Sequence, residues 1–371
     1  MTETVLALNA GSSTLKYSVY RLGEDEQRVL ASATIKTTDL SPTAALERAV
    51  LHLQSAGLAE PSLIGHRVVH GGALFTAPVS VDERVLEQLD SLVSLAPLHL
   101  PPALALLREA RRRWPGAQQV ACFDTAFHAS LPDVARRLAL PTRLYEQGIR
   151  RYGFHGLSCE CVLAELAWPP PARLIVAHLG SGASLSAIKQ GRSIDTSMGL
   201  TPTGGIPMGT RSGDLDPGVL LHLIREQGYS VAQLEHLLNR ESGLQGLAGS
   251  ADMSELLSRA AAVDSSALSA IELFAYSVKK QIGAYFAALG GLDCLVFTGG
   301  IGEHVPLVRE LCCSGLEGLG IELDPSLNAG NAPSISNGSS ACEVRVITAN
   351  EDLIIARSTL EVHRARAVQA R

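Results

Sequence analysis

Three short segments rich in glycine and serine could bind phosphate groups. They are Asn9-Ala-Gly-Ser-Ser-Thr14 with Lys16 close behind, Gly180-Ser-Gly182, and Gly299-Gly-Ile-Gly302. Glycine lets backbone N–H groups approach an anion, and hydroxyl and ammonium groups supply further donors. None is a Walker A loop, which needs Gly-Lys-Ser/Thr at the start of a helix. Each could be an ordinary turn, but three in one chain predict a nucleotide held between two domains.

Two arginines stand where an unpaired charge would be unfavourable. Arg67 lies on the apolar strand LIGHRVVH, and Arg211 lies in the glycine-rich segment Met208–Asp216. One explanation is a structural salt bridge, for which Asp214 or Asp216 could serve Arg211. The other is a catalytic role, in which the planar guanidinium group binds the phosphoryl group during transfer. The glycine content of the loop favours the catalytic role for Arg211, whereas both explanations stay open for Arg67.

Asp124 and Glu351 each follow an apolar strand, in ACFDTAFH and ITANEDL. Ligands of α/β proteins bind at the C-terminal ends of strands, and Mg²⁺ bound to phosphates needs one or two carboxylates there. Glu351 is also explained as an acid in the first turn of a helix that Asn350 caps. Asp124 has no such alternative, so it is the stronger candidate for a metal ligand.

Several histidines lie near these segments, but none has the spacing of a zinc site. Tyr152-Gly-Phe-His-Gly156 suits a loop open to a ligand, and its histidine, His155, could stabilise developing charge. For His66, His70 and His128 we favour a structural, hydrogen-bonded role.

The elements that must position these side chains follow a repeated plan. Residues 4–36 and 172–198 share one order of elements: an apolar strand, a polar residue, a Gly-Ser turn and a strand of alternating polarity. Asn9 and His178 are the polar residues of the two repeats. Further strands are predicted at LIGHRVVH, QQVACFDTAFH, CLVFT and RVITA. Helices are predicted around 44–56, 81–113 and 266–289, the second interrupted by three prolines in LAPLHLPPA. The repeat favours a duplicated α/β core with a cleft between its halves, although any β-rich protein can contain several such hairpins.

Length and composition limit the class of protein. The chain has 371 residues, of which 46% are hydrophobic and 18% charged, with a net charge of −6. It is too long for one core and too apolar to be mainly disordered. The acidic balance argues against a nucleic-acid partner, and no apolar run is long enough for a membrane helix. The acidic N-terminus does not resemble a signal peptide, and seven cysteines without a Cys-x-x-Cys pair favour the cytoplasm.

Eight segments, in order along the chain, resemble the acetate kinase family. They are Asn9–Lys16, His66–Gly72, Phe123–His128, Tyr152–Gly156, Asp195–Pro202, Met208–Pro217, Phe297–Glu303 and Asn350–Asp352. The resemblance implies an α/β fold of two duplicated actin-like (ribonuclease H-like) domains with a central nucleotide cleft, and a homodimer. We expect one domain to comprise residues 1–124 with 355–371, and the other residues 125–354.

The same resemblance implies roles for single residues. The catalytic positions fall on Arg67, Asp124, His155 and Arg211, of which His155 and Arg211 stabilise the transition state. Mg²⁺, or Mn²⁺ in its place, would be held with Asn9, Asp124 and Glu351. The acyl substrate would contact Arg67, Val69, Leu98, Phe154 and Pro202. The nucleotide and its phosphates would contact Asn9, Ser12, Thr14, Lys16, His178, Gly180, Ser181, Gly182, Gly299, Gly300 and Gly302.

The implied activity is direct in-line transfer of a phosphoryl group from ATP to acetate, giving acetyl phosphate and ADP. A carboxylate with a pKa near 4 is already ionised at neutral pH, so alignment and charge neutralisation are needed rather than a general base. Val69 favours acetate, but one added methylene changes binding by only about 1–3 kcal/mol. The alternatives are propionate or another short-chain acid as acceptor, pyrophosphate as donor, and, more remotely, a non-catalytic nucleotide-binding module.

The sequence departs from the family pattern at several places. Ser181 stands where the family usually has Asn, Leu100 where it has Asn, and His304 where Asn follows Gly-Glu. The segment Thr203–Pro207 is richer in glycine, and the chain is shorter than typical members between residues 21 and 62. Because the charged residues are all kept, we expect these changes to affect the preferred acid or phosphoryl donor rather than the reaction class.

Overall fold

The computed structural model describes residues 2–11, 14–23, 26–166 and 169–369, and the chain divides into two compact units. The first unit comprises Met1–Ala129, Gly156–Cys161 and Asn350–Arg371, and the second comprises Ser130–His155 and Val162–Ala349. The domain boundaries expected from sequence fall after residues 124 and 354, whereas the limits of the units fall after Ala129 and Ala349. The sequence-based division also did not assign the short segment Gly156–Cys161, the start of a helix, to the first unit.

Each unit contains one β-sheet. The strands of the described chain are β1 (Glu3–Ala10), β2 (Thr14–Leu22), β3 (Gln27–Lys36), β4 (Leu63–Val68), β5 (Val79–Ser80), β6 (Gln118–Phe123), β7 (Arg173–Leu179), β8 (Ala183–Lys189), β9 (Arg192–Thr196), β10 (Cys294–Thr298) and β11 (Glu343–Val346). The strand order is β3-β2-β1-β4-β6-β5 in the first sheet and β11-β10-β7-β8-β9 in the second.

The two sheets share one topology. β1 pairs antiparallel with β2 and parallel with β4, just as β7 pairs antiparallel with β8 and parallel with β10. β6 then continues the first sheet parallel to β4, and β11 continues the second parallel to β10. Asn9 and His178 occupy the same position, one residue before the end of β1 and of β7. The shared topology confirms the predicted duplicated, actin-like α/β fold.

The helices connect and cover these strands. They are α1 (Pro42–Ser55), α2 (Glu83–Ser91), α3 (Leu100–Arg113), α4 (Asp133–Arg136), α5 (Thr142–Glu146), α6 (Gly156–Glu165), α7 (Pro217–Gln227), α8 (Val231–Arg240), α9 (Gly243–Ala248), α10 (Met253–Ala261), α11 (Ser265–Leu289), α12 (Gly299–His304), α13 (Pro306–Cys313), α14 (Pro325–Ala329) and α15 (Glu351–Gln369). Short 3-10 turns lie at Val93–Leu95, Ala126–Ser130 and Glu317–Leu319. Over the described residues, no helix combines the length and apolarity that crossing a membrane requires.

The prolines of LAPLHLPPA interrupt the predicted helix less than expected. Pro101 and Pro102 lie in the first turn of α3 rather than outside it. The first turn of a helix needs no intrahelical N–H bond, and proline's fixed φ suits it. The predicted helices near 44–56 and 266–289 are present as α1 and α11.

In the core of the first unit, α15 packs against one face of the sheet. Successive strand residues point to opposite faces. β1 therefore buries Val5 and Ala7 in the cluster that contains Ile355 of α15, and Leu6 and Leu8 in the cluster formed with α1 and α3. Gly65 on β4 allows the close crossing of α15, because a Cβ there would collide with the side chains of that helix. This packing brings the start of α15 to the sheet.

Candidate active site

Arg67 and Asp124 form a buried ion pair at one edge of the first sheet. β4 and β6 are adjacent parallel strands, so residues at their C-terminal ends meet. Arg67 Nη2 lies 2.6 Å from Asp124 Oδ2, and Arg67 Nε donates to both carboxylate oxygens at 3.0 and 3.1 Å. Asp124 is 1% exposed. The structural salt bridge that the sequence left open for Arg67 is therefore present. Its partner, Asp124, is also a candidate metal ligand.

Asn9 links this ion pair to the start of α15. Its Oδ1 accepts from Arg67 Nη1 at 3.1 Å, and its Nδ2 donates to Glu351 Oε2 and Asp352 Oδ1, each at 3.2 Å. Glu351 Oε2 also lies 4.0 Å from Arg67 Nε. The structure thus gathers Asn9, Arg67, Asp124 and Glu351, which the sequence named from four separate segments.

The carboxylates in this cluster outnumber its cation. Burial alone would lower the pKa of Arg67, but the negative charges of Asp124, Glu351 and Asp352 raise it above its ordinary value. Burial raises the pKa of the Asp124 carboxyl, an effect that Arg67 opposes, and burial also raises that of Asp352. Because a guanidinium keeps its proton at neutral pH and makes three hydrogen bonds to Asp124, we take Asp124 as ionised. The excess negative charge suits a bound cation.

Asp352 is a site residue that the sequence reasoning missed. Its Oδ2 accepts from Ser18 Oγ at 2.8 Å, and its other oxygen holds the Asn9 amide. Asn350 is the expected helix cap, since its Oδ1 accepts a backbone N–H of the first turn at 3.2 Å, and it also accepts from Tyr20 Oη at 2.9 Å. Two consecutive acids behind a helix cap were the available signal that more than capping was involved.

The other predicted residues of the first unit come from three places in its fold. Thr14 opens β2, and Lys16 pairs with Asn9 across the β1–β2 hairpin with its side chain exposed. Val69 is buried just beyond β4, and Leu98 is half-buried before α3. Ser12 lies outside the described residues.

His155 in the second unit is held by two strands. Its backbone has φ 58°, in the left-handed region, at the N-terminus of α6. Its Nδ1 lies 2.9 Å from Ser184 Oγ on β8, and its ring stacks on His178 of β7 with centroids 4.2 Å apart. A non-glycine residue in this conformation is strained, and such strain persists only where surrounding contacts enforce it. The ring is therefore fixed in orientation.

Arg211 and His155 meet beside Gly182. A Cβ at Gly182 would lie 3.4 Å from both Arg211 Nη1 and His155 Nε2, so the lack of a side chain leaves room next to both nitrogens. Arg211 Nη1 also donates to the Pro202 carbonyl at 3.0 Å. The buried Phe154 directly precedes His155. Two donors therefore converge beside two residues that the resemblance assigns to the acyl substrate.

The second and third glycine segments meet at neighbouring strand ends. β7 and β10 are parallel and adjacent, so the turns that follow them lie at the same edge. A Cβ at Gly180 would lie 3.9 Å from both the Gly300 amide and His178 Nε2. Ser181 lies in the same turn, where its carbonyl accepts from the Gly209 amide at 3.1 Å. This joins the turn to the loop that carries Arg211.

Gly299 must be glycine for α12 to begin where it does. It has φ +76°, and a Cβ there would lie 2.7 Å from the Leu179 carbonyl oxygen. Its N–H donates to Glu303 Oε1 at 2.9 Å, and the same oxygen accepts from the Ala349 amide at 3.0 Å. The turn is thus closed by a buried carboxylate, while Gly300 stays exposed and the nearby Gly302 is buried.

The three histidines with an expected structural role are all buried. His66 Nε2 lies 2.6 Å from Gln119 Oε1, and burial lowers the pKa of His66 to about 4, so the ring is neutral at pH 7. His70 Nδ1 accepts from the Gly72 amide at 2.9 Å. His128 is 1% exposed. These environments fit the structural assignment.

Comparison with known proteins shows similarity along nearly the whole chain. The model of the acetokinase family matches residues 36–357. An acetate kinase of Methylocella silvestris is 42% identical, with 97% of this chain and 98% of that protein covered. A propionate kinase from Francisella tularensis has a TM-score of 0.88 and 35% identity, covering 97% of this chain and all (100%) of that one. An acetate kinase from Porphyromonas gingivalis has a TM-score of 0.85 at the same identity (35%) and coverage (97% and 100%).

Proposed function

The chain belongs to the acetokinase family and is a kinase whose acceptor is a carboxylate, and on that premise we propose that it catalyses acetate + ATP ⇌ acetyl phosphate + ADP by direct in-line transfer. One observation carries this proposal: Arg211 Nη1 and His155 Nε2 converge beside Gly182. In phosphoryl transfer, negative charge is spread over the equatorial oxygens of the transferring group, and donors fixed in advance around them stabilise it. Arg211 and His155 are the transition-state stabilisers.

The acceptor needs no activation, because acetate is ionised at neutral pH. We assign Arg67 to the acetate carboxylate, since its guanidinium is already oriented by Asp124 and Asn9. We assign the methyl group to the apolar side chains of Val69, Leu98, Phe154 and Pro202. The hydrogen bond between Ser184 and His155 is not a nucleophile–base pair in this reaction, because the carboxylate itself attacks.

The phosphates of ATP are assigned to the glycine segments. In the second unit these are Gly180–Gly182 and Gly299–Gly302 with His178, whose backbone amides and ring nitrogen lie close together. In the first unit Thr14 and Lys16 follow the first glycine turn. Binding the phosphates at several points aligns the donor with the acceptor. Such alignment accounts for a large part of catalysis in kinases.

The donor set of the first unit fits a hard divalent metal ion. Asp124, Glu351 and Asn9 offer oxygen atoms, the ligands that Mg²⁺ prefers. The described residues contain no cluster of three or more His, Cys, Asp or Glu arranged to hold a metal, but Mg²⁺ shared with substrate phosphates needs only one or two carboxylates. We assign Mg²⁺, replaceable by Mn²⁺, to Asp124 and Glu351 with Asn9. When bound, it would neutralise charge on the phosphates of ATP.

The choice of acid tests the substrate assignment. A hydroxamate assay with Mg·ATP and acetate, propionate or butyrate measures acyl phosphate directly. We expect the highest kcat/KM for acetate, with propionate lower by about 10- to 100-fold, because one methylene is worth about 1–3 kcal/mol. Propionate is the second candidate, since a propionate kinase is among the similar structures. A preference for butyrate over acetate would contradict the assignment of the methyl pocket.

Ser184→Ala is expected to lower kcat by about 10-fold while leaving the KM for ATP nearly unchanged. Ser184 is 1% exposed, and its Oγ fixes Nδ1 of His155, so that the other ring nitrogen faces the space beside Gly182. A partner that orients a functional histidine typically accounts for 10- to 100-fold. Steady-state kinetics with ATP and with acetate varied in turn measures kcat and both KM values.

Ser186→Ala is the matched control for that variant. Ser186 lies on the same strand and the same face, is 1% exposed, and lies 3.2 Å from Thr196 Oγ1 rather than against a histidine. Its loss should leave kcat nearly unchanged. Equal effects of the two substitutions would show that Ser184 acts only through packing.

We assign a homodimer that uses α7. No residue of this fully described helix is buried, yet Val219, Leu221 and Ile224 are 43%, 49% and 46% exposed. Exposed apolar patches of this kind mark interaction surfaces. Light scattering coupled to size exclusion should give twice the chain mass for wild type and the monomer mass for Leu221→Glu. A dimer that survives Leu221→Glu would move the interface elsewhere.

We place the enzyme in the cytoplasm. All seven cysteines lie within the described residues, and all are buried and free of disulfides. Reduced thiols are typical of that compartment.

A further inference from the structure

Arg309 of α13 is a buried cation outside the set of residues assigned to the reaction. It is 0% exposed, and no other fully buried side chain among the described residues is larger. All of its hydrogen bonds go to neutral acceptors rather than to a carboxylate. Burying a cation is costly, and replacing buried charged groups by well-packed apolar residues is often neutral or stabilising. The cost indicates that the guanidinium has a specific role at this position.

The five N–H groups of Arg309 are all used. Nε donates to Asn328 Oδ1 at 2.8 Å, and Nη2 donates to the Asn328 carbonyl at 2.8 Å and to Asn331 Oδ1 at 2.6 Å. Nη1 donates to the carbonyls of Gly302 and Glu303 at 2.8 and 3.0 Å. A guanidinium holds its five donors in a rigid plane, so this side chain fixes the end of α12 relative to α14 and the turn that follows it.

The Gly302 carbonyl needs this hydrogen bond because of Pro306. In an α-helix a carbonyl accepts from the N–H four residues later, and for Gly302 that residue is Pro306, which has no N–H. Arg309 Nη1 supplies the missing donor, and its positive charge is favourable at the C-terminus of a helix. Burial lowers the pKa of Arg309, but an arginine keeps its proton at neutral pH.

The start of α12 is held by the side chain of Glu303. This residue is 8% exposed, and its Oε1 accepts from the amides of Gly299 and Ala349 at 2.9 and 3.0 Å. The helix has only six residues, too few to be stable by itself. Two buried side chains, Glu303 and Arg309, therefore determine where its backbone lies, and that backbone contains the third glycine segment.

We propose that Arg309 is a positioning residue for nucleotide binding, which holds Gly299–Gly302 in the conformation that binds phosphate without touching the nucleotide itself. The proposal rests on the assignment of that segment to the phosphates of ATP. Arg309 bonds to Gly302 inside the segment, whereas Gly300, two residues earlier, is exposed. A segment that is ordered in advance avoids the cost of ordering on binding, so loss of its support lowers affinity.

Arg309→Lys tests the proposal by titration calorimetry with ADP, which needs no turnover. Lysine keeps the charge but cannot make five hydrogen bonds in one plane. We expect the Kd for ADP to rise by about tenfold, because a partner that orients a functional group typically accounts for about 10- to 100-fold. The number of ADP sites per chain should stay at one. The KM for acetate should stay close to that of wild type, since the residues assigned to acetate do not contact α12.

Arg151→Lys is the matched control. Arg151 also lies in the second unit, and its Nη1 donates to the carbonyls of Thr196 and Ser197 at 2.7 and 3.1 Å, at the end of β9 rather than in a glycine segment. Its loss should leave the Kd for ADP unchanged. An equal rise of the Kd in both variants would overturn the proposal, because affinity would then follow the general stability of the unit. A fall in the number of sites with an unchanged Kd would also overturn it, because Arg309 would then support folding only.

Asn328→Ala is a milder variant that decides the matter if Arg309→Lys does not fold. It removes the acceptor of Arg309 Nε and leaves the bonds to α12 available. We expect a smaller rise of the Kd for ADP in the same direction. An unchanged Kd in Asn328→Ala would overturn the proposal in that case.

Gly300→Asp tests the assignment on which the proposal rests. A Cβ at Gly300 meets nothing within 4 Å, so we expect the variant to fold, as circular dichroism would check. Its carboxylate should raise the Kd for ADP by at least about 100-fold, because like charges brought together in a binding site are strongly unfavourable. Normal ADP binding by Gly300→Asp would overturn the assignment of this segment to the phosphates. Weakened binding by Gly300→Asp together with an unchanged Kd in Arg309→Lys would overturn the role of Arg309 alone.

Discussion

Arg211→Ala is expected to lower kcat by about 10³-fold while the fold and its stability stay close to those of wild type. Its Nη1 lies with His155 Nε2 beside Gly182, where the transferring group would gain charge. Removing one preorganised donor of this kind costs about 10²- to 10³-fold, and an arginine on a transferring phosphoryl group is worth about 10³- to 10⁵-fold. Arg211 Nη1 also donates to the neutral Pro202 carbonyl at 3.0 Å and to Met208 Sδ at 3.5 Å, and we expect the fold to tolerate the loss of these two contacts.

Arg211→Lys is the conservative variant for that experiment, and Arg143→Ala is its control. Lysine keeps the charge but not the planar fork, so it should recover only part of the lost rate. Arg143 lies exposed on α5, and its loss should leave kcat unchanged. Turnover of Arg211→Ala within a few-fold of wild type would contradict the role of Arg211 in the transition state.

Asp124→Asn is expected to damage both activity and stability. The substitution keeps the side-chain shape but removes the charge that pairs with Arg67 and that we assign to the metal ion. Breaking a buried ion pair by removing one partner costs about 3–5 kcal/mol, and because asparagine keeps one acceptor we expect about 3 kcal/mol. We expect kcat to fall by at least about 10²-fold. Urea unfolding and initial rates at saturating Mg²⁺ measure the two effects.

Asp90→Asn is the matched control for Asp124→Asn. Asp90 also pairs with an arginine, Arg108, but the two side chains are 49% and 45% exposed. Exposed ion pairs contribute about 0–1 kcal/mol, so this variant should keep its activity and nearly all of its stability. A stable Asp124→Asn enzyme with full activity would contradict both roles assigned to Asp124, in the ion pair with Arg67 and at the metal ion.

Much of the fold followed from patterns local to the chain. The two strand-turn-strand repeats predicted the shared sheet topology, because alternating hydrophobicity and a glycine turn specify a hairpin wherever they occur. The sequence placed Asp124 directly after a strand and left a salt bridge open for Arg67, but it did not predict that these two residues pair with each other, as they do in the structure. Helix α3 was misjudged at its start, since proline breaks a helix interior but not its first turn.

The contacts that the sequence did not reveal depend on tertiary structure. Ser184 is one small residue in an alternating strand, and nothing in its neighbours indicates that His155, far away in sequence, approaches its hydroxyl. Asp352 received no role from the sequence, because its link to Asn9 needs the close crossing of α15 over β4.

Phosphorus NMR of the wild-type protein with Mg·ATP and acetate tests the central claim most directly. The account predicts a new acetyl phosphate signal that grows in step with ADP, with no consumption of ATP when acetate is left out. Formation of ADP and inorganic phosphate at the same rate with and without acetate would contradict it. Binding of ATP with no turnover in the presence of acetate would contradict it as well, and would identify a nucleotide-binding module instead of a kinase.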